Sequence, residues 1–284
     1  MTEQTGPGAA HRAAVLGKPI GHSLSPVSHN AGYVAAGLHG WSYDAHECGE
    51  AELAGYVAGL GPSWAGLSLT MPLKEVALDV AATVSGVASA LGAANTLVRQ
   101  ADGSWHAENT DAPGMVDALA SAGLTRAARV SVFGAGGTAR AAHGACQELG
   151  ASTVTVYARR PEALAELEPV ASALGLRLIR AAWSAASAAG EADLVISTVP
   201  RGVADSLVGA VAWQAGTVLF DAVYDPWPTP LAAAAARAGC GIVSGLDLLL
   251  AQAVRQFQLF THIVAPVDAM RAALESAASA RTPS

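Results

Sequence analysis

At 284 residues the chain is longer than one ordinary domain, so one large or two moderate domains are expected. Hydrophobic residues make up 52% and charged ones 14%, which excludes wholesale disorder and leaves ample core material. A net charge of −7 argues against a nucleic-acid binder, which needs a basic stripe or patch, but leaves room for a local pocket for a small anion.

Cys48, Cys146 and Cys240 are odd in number, far apart and without metal-ligand spacing, so free thiols, a reducing cytoplasm and no metal site are expected. The opening "MTEQTGPGAAHRAAVLG" carries acid where a signal peptide wants base. No stretch reaches the roughly 20 apolar residues of a membrane span. A cytoplasmic protein with no membrane partner is the expectation.

After a loose tail of about ten residues, "AAVLG" (13–17) reads as a strand. The segment "GKPIGHSLSPVSHN" (17–30) then sets Ser23 and Ser25 two apart, with Pro26 following. Serine, proline and a helical pattern mark a helix start, the hydroxyl capping free N–H groups. One cap accounts for one serine and leaves a second hydroxyl to explain. A strand over 41–48, a helix over 50–60 and a strand over 65–71 follow, the last ended by Pro72. An alanine-rich helix and a strand-turn-strand over 95–109 complete this half. The alternation predicts a parallel or mixed sheet covered by helices.

Two stretches here carry chemistry. In "GLSLTMPLKE" Thr70, Pro72 and Lys74 alternate, and an extended backbone would project Thr70 and Lys74 to one side. A partly screened lysine exchanges protons with an alcohol or ketone, although an ordinary exposed lysine fits the spacing too. In "HAENTDAPGMVDAL" (106–119), Asn109, Thr110 and Asp111 precede a helix with Pro113 in its first turn. Asp111 there reads equally as a helix cap.

From Arg129 onward, "RVSVFGAGGTARAAHGACQELG" is a buried strand, a glycine turn and a helix ending at Gly150. A second strand and helix follow in "STVTVYARRPEALAEL", then strands in "ADLVISTVP" and "GTVLFDAVYDP". A last short strand and a long helix lie in "GCGIVSGLDLLLAQAVRQFQLFTH". The two halves are expected to meet across a ligand cleft.

Gly134-x-Gly136-x-x-Ala139 sits between strand and helix. Gly134 permits the tight turn, Gly136 admits a pyrophosphate, Ala139 allows close packing, and the helix N-terminus favours phosphate. Where NAD-binding chains place an acid after the second strand, this one has Ala158-Arg159-Arg160. Two guanidiniums suit a 2′-phosphate, which favours NADP, while a solvated basic loop is the plainer reading.

The motifs "GKPIGHSLSPVSHN", "SLTMPLKE", "GAANTLV", "ENTDAPG", "GAGGTAR", "YARR", "YDPWPTPL" and "SGLDLLLAQA" together resemble the shikimate dehydrogenase family over nearly the whole chain. The resemblance implies an α/β fold with an N-terminal substrate-binding and catalytic domain (1–110) and a Rossmann-type dinucleotide-binding domain (111–246). C-terminal helices (247–284) would return to the substrate domain. It implies an NADP(H)-dependent enzyme that reversibly reduces 3-dehydroshikimate to shikimate in aromatic amino-acid biosynthesis, as a monomer or homodimer. Residues matching Ser23 and Ser25 would hold the substrate carboxylate, a sensible task beside a helix N-terminus. Thr70, Asn95 and Asp111 would bind ring hydroxyls, and Lys74 and Asp111 would carry proton transfer. Tyr224 and Gln252 would close the site, or serve as packing residues. For the cofactor the resemblance points to Gly134, Ala135, Gly136, Gly137 and Thr138 at the phosphates and Ala158, Arg159 and Arg160 at the adenosine. Thr198, Val199, Ala222, Gly245 and Leu248 would line the rest of its path, although core packing looks the same.

Ser68, Ala107, Ala112, Asp247, Leu248 and the Ala-Arg-Arg run depart from common family residues, which bears on pocket shape. An NAD(P)-dependent quinate/shikimate dehydrogenase, an aminoshikimate-type paralogue and a non-catalytic NADP-binding regulator are the alternatives.

Overall fold

The computed structural model describes residues 11–281; the expected N-terminal tail lies outside them. The described chain divides into two compact units. The first holds residues 11–89, 93–110 and 253–277, the second 90–92, 111–252 and 278–281.

The first unit is built on a six-stranded mixed sheet: β1 (His11–Gly17), β2 (Trp41–Glu47), β3 (Trp64–Leu69), β4 (Thr83–Val84), β5 (Thr96–Arg99) and β6 (Trp105–Glu108). Their order is β2-β1-β3-β5-β6-β4. Strands β2, β1 and β3 run parallel, whereas β5 is antiparallel to both β3 and β6. Helices α1 (Ser25–Ala35) and α2 (Glu50–Ala58) follow β1 and β2. The buried face of the sheet collects Leu16, Leu53, Leu67, Leu69, Leu73 and Leu97 into one core, each side chain contributing about 1.5–3 kcal/mol on burial.

Where one alanine-rich helix was expected, two short ones occur, α3 (Ala77–Val80) and α4 (Gly86–Leu91), separated by β4. Thr83 and Val84 pair with His106 and Ala107 instead of continuing the helix, and the Ser85 hydroxyl then accepts the Ala88 N–H at 3.1 Å. Strand pairing and a new cap outweigh the weak helix propensity of Thr-Val.

The second unit contains α5 (Asp111–Ser121), β7 (Arg129–Phe133), α6 (Gly137–Glu148), β8 (Thr153–Ala158), α7 (Pro161–Ala165), α8 (Glu168–Ala173) and β9 (Arg177–Ala182). It continues with β10 (Leu194–Ser197), β11 (Val218–Asp221), α9 (Pro230–Arg237) and β12 (Gly241–Ser244). All six strands are parallel, ordered β12-β11-β10-β7-β8-β9. This is the doubly wound dinucleotide-binding order, with the switch point between β7 and β10. Val130, Val132, Val154, Val156, Leu194 and Ile196 form near-continuous apolar strands, as a sheet covered on both faces requires.

Strand β9 and helix α9 are absent from the sequence reading. "RLIRAA" in β9 is largely exposed and charged, with only one neighbour, β8. An edge strand blunted by arginine has no buried face to produce an alternating pattern. The long helix α10 (Gly245–Thr261) passes from the second unit to the first after Gln252, and α11 (Val267–Ser279) follows.

Candidate active site

In the first unit, the carboxyl ends of β1, β3 and β6 and the start of antiparallel β5 share one edge of the sheet. Ser23 and Ser25 follow β1, Thr70 and Lys74 follow β3, and Asn95 precedes β5, so the topology gathers five sequence-predicted residues at that edge.

The side-chain cap expected at the start of α1 is not formed. Helix α1 starts without Ser25 capping it; the Ser23 hydroxyl accepts the Ser25 N–H at 3.3 Å. Ser25 is the first residue of α1 and is buried, as is Tyr43. Burial also raises the Tyr43 pKa, keeping the phenol a donor.

The extended path expected from Thr70 to Lys74 is likewise corrected. Strand β3 ends at Leu69, and the chain turns at once, with the Leu73 N–H donating to the Thr70 carbonyl at 2.9 Å. The turn is stitched to its neighbours: Thr70 N–H to Leu16 O at 2.9 Å, Lys18 N–H to Met71 O at 3.0 Å, and Ala94 N–H to Lys74 O at 2.7 Å. Those bonds replace the strand ladder, so same-side projection by alternation does not apply. A Cβ on Gly17 would overlap the Thr70 methyl, so only glycine lets β1 approach this turn. The Leu69 N–H donates to Asn95 O at 2.7 Å, bringing the Asn95 segment beside the same turn.

Asn95 is 2% exposed and its amide is fixed on three sides. Its Oδ1 accepts from Thr110 N at 2.8 Å and from Thr96 Oγ1 at 2.9 Å, while its Nδ2 donates to Thr110 Oγ1 at 2.9 Å. Gln256, absent from the sequence reading, reaches this group from α10. Its Nε2 donates to Thr96 Oγ1 at 2.9 Å, and its Oε1 accepts from Ser68 Oγ at 2.7 Å. The available signal was its position four residues after Gln252, on one face of an apolar helix.

In the second unit every candidate cofactor residue lies at or after a carboxyl strand end, where open α/β sheets bind ligands. Gly134 has φ of 102°, and a Cβ there would lie 2.6 Å from Thr198 Oγ1 and 3.0 Å from Val199, at the switch point. Gly136 precedes α6 in extended backbone, and a Cβ on it would meet nothing within 4 Å. The open space over Gly136, bordered by the N-terminus of a twelve-residue helix, fits a dinucleotide pyrophosphate. Ala139 is fully buried in the core and lets α6 lie close to the sheet. Ala135, Gly137 and Thr138 line the partly exposed turn, and Leu248 is buried near the start of α10. Ala158 ends β8; Arg159 and Arg160 follow it, both exposed and without a carboxylate partner among the described residues.

A Cβ on Gly245 would overlap the Ala222 carbonyl, which brings the ends of β11 and β12 together. Asp247 explains itself locally. It closes a capping box with Ser244, accepting the Ser244 N–H at 2.9 Å and its hydroxyl at 2.7 Å, while its own N–H donates to Ser244 Oγ at 3.3 Å. Asp221 pins the loop that carries Tyr224. Its carboxylate accepts Thr229 O–H at 2.7 Å and Val223 N–H at 3.2 Å, and the same Thr229 hydroxyl caps α9 through Ala232 N–H at 3.0 Å. Burial raises the Asp221 and Tyr224 pKa values. Gly114 meets the backbone of Gln252, whose Nε2 donates to Leu249 O at 2.9 Å. Asp111 is buried at the first residue of α5. The three cysteines are buried free thiols. No metal-binding cluster occurs, and no helix is long and apolar enough to cross a membrane, among the described residues.

These features define a two-unit α/β protein with a dinucleotide-binding turn on one unit and a polar sheet edge on the other. Three family descriptions match: "Shikimate dehydrogenase substrate binding domain" over residues 15–97, "Alanine dehydrogenase/PNT, C-terminal domain" over 103–222, and "Shikimate 5'-dehydrogenase C-terminal domain" over 245–275. A curated shikimate dehydrogenase (NADP(+)) of Methanothermobacter thermautotrophicus is 36% identical, with 94% of this chain and 97% of that protein covered. The crystal structure of Mycobacterium tuberculosis shikimate dehydrogenase is 43% identical with a TM-score of 0.85, covering 94% of this chain and 99% of that one. A Thermus thermophilus shikimate 5-dehydrogenase solved with NADP(H) and shikimate is 33% identical with a TM-score of 0.80, covering 94% and 99%. A Corynebacterium glutamicum quinate dehydrogenase in complex with NAD shares the fold at 26% identity, with a TM-score of 0.85 and coverage of 94% and 99%. The chain belongs to the shikimate dehydrogenase family.

Proposed function

We propose that this chain catalyses the reversible, NADPH-dependent reduction of 3-dehydroshikimate to shikimate. The observation that carries the reading is the set of Ser23, Ser25, Thr70, Lys74 and Asn95 at one sheet edge, in a chain whose other unit holds an open glycine turn at a switch point. Substrate binding is assigned to residues 1–110 with the returning helices of 247–284, and cofactor binding to 111–246.

NADPH, when bound, supplies the hydride for the substrate carbonyl carbon. Gly134 to Thr138 would hold its phosphates, and Arg159 and Arg160 its 2′-phosphate through paired charge-assisted hydrogen bonds. Ala158, Thr198, Val199, Ala222, Gly245 and Leu248 would form the rest of its path. Ser23 and Ser25 would bind the substrate carboxylate, and Thr70, Asn95 and Asp111 its ring hydroxyls. Tyr224 and Gln252 are assigned to the substrate as well. Lys74, as ammonium, would give its proton to the oxygen that becomes the new alcohol, and Lys74 and Asp111 are together assigned proton transfer. Buried free thiols support a cytoplasmic assignment. A monomer or homodimer is proposed, to be read from its mass in solution.

The test follows nicotinamide absorbance with 3-dehydroshikimate and 3-dehydroquinate, each with NADPH and NADH. Consumption confined to 3-dehydroshikimate with NADPH is expected. Comparable rates with 3-dehydroquinate or NADH would assign a quinate/shikimate enzyme instead.

A further inference from the structure

Six buried side chains of the first unit form one directed hydrogen-bond chain. Tyr43 O–H donates to Ser68 Oγ at 2.6 Å, and Ser68 O–H donates to Gln256 Oε1 at 2.7 Å. On its other side, Gln256 Nε2 donates to Thr96 Oγ1 at 2.9 Å and to the Asn95 carbonyl at 3.4 Å. Thr96 O–H then donates to Asn95 Oδ1 at 2.9 Å, and Asn95 Nδ2 donates to Thr110 Oγ1 at 2.9 Å. A carboxamide has one accepting and one donating end, so the order of donors is set at Gln256. Thr96 receives from Gln256 and has one hydroxyl hydrogen to give, for which Asn95 Oδ1 at 2.9 Å is nearer than Thr110 Oγ1 at 3.3 Å. Asn95 Oδ1 also accepts the Thr110 N–H at 2.8 Å, so it faces inward. One Nδ2 hydrogen is used on Thr110, and the second is left for a group outside the network.

We propose that Gln256 is a positioning residue that holds Asn95 as an N–H donor toward the substrate and is itself anchored through Ser68 to Tyr43. It rests on the functional reading above, since it takes Asn95 as a substrate contact. The substrate group that meets Asn95 is then an acceptor, a carbonyl or hydroxyl lone pair. Ser68 fits this scheme because one hydroxyl both accepts from Tyr43 and donates to Gln256. Buried polar networks of this kind are costly when half satisfied, so breaking one link disorders the rest.

The experiment compares the wild-type chain with Gln256→Met and Gln256→Glu, using shikimate and NADP across pH. Gln256→Met keeps the volume and removes both hydrogen-bonding ends. It is expected to raise KM for shikimate about ten-fold, as loss of one or two buried hydrogen bonds does, with KM for NADP within about two-fold. Gln256→Glu restores the donor only when protonated, because the acid can donate to Thr96 while accepting from Ser68. Its KM for shikimate is expected near wild type at low pH and rising as pH rises, a profile the wild type lacks. Wild-type shikimate KM in both variants overturns the proposal. So does an equal loss toward shikimate and NADP, which would mark a merely structural role. If Gln256→Met does not fold, a pH-independent Gln256→Glu overturns it alone. Lack of wild-type turnover with shikimate overturns the functional reading, and the proposal with it.

Discussion

A Cβ on Gly66 of β3 would overlap the ring of Phe260 on α10. Both are buried, and β3 is an interior strand of its sheet. Gly66→Ala is therefore expected to cost about 1–3 kcal/mol by overpacking. Urea unfolding checks this; an unchanged midpoint would show that the helix yields.

Lys74→Met removes the proposed proton donor while keeping a stem of similar length. Turnover is expected to fall about 100-fold or more, the usual worth of a positioned acid. NADPH affinity, read by fluorescence titration, stays near wild type. Equal losses in both would reassign Lys74 to cofactor binding or folding.

Arg159 and Arg160 are exposed, so their replacement leaves the core intact. The double change to Ala is expected to raise KM for NADPH about 10- to 100-fold, the loss of charge-assisted hydrogen bonds. NADH kinetics should stay near wild type. Steady-state kinetics with both cofactors decides it, and parallel losses would contradict the 2′-phosphate assignment.

His29 is fully buried and stacked on Tyr43 at 4.1 Å, and burial lowers its pKa from 6.5 to about 3. Above pH 6.5 it is neutral folded or unfolded and adds no pH dependence. As pH falls from 6.5 toward 3, only the unfolded chain takes up the proton, so stability is lost in that window. The loss is about 2 kcal/mol by pH 5. His29→Phe should flatten the slope of unfolding free energy between pH 5 and 7, and an unchanged slope would point to other groups.

The capping box at Ser244 and Asp247 predicts that Asp247→Ala costs about 1 kcal/mol. Urea unfolding measures it, with Asp247→Asn expected to fall between the two.

Much of this protein was legible in local sequence. Strand, glycine turn and helix from Arg129 to Gly150 announce a dinucleotide site because the turn's φ and the small residue at Ala139 are requirements of a single short segment. The motif around Ser23 and Ser25 likewise marks a helix start next to a polar edge. Tertiary structure decided the rest. Strand β9 was hidden because an exposed edge imposes no apolar rhythm, and the path from Thr70 to Lys74 turns because its hydrogen bonds go to β1 and to Ala94. Gln256 joins Ser68 across 188 positions of sequence. Periodicity reports which face of an element is dry. Only the folded chain settles which distant donor meets which acceptor, because a buried polar group takes whatever partner packing brings within about 3 Å.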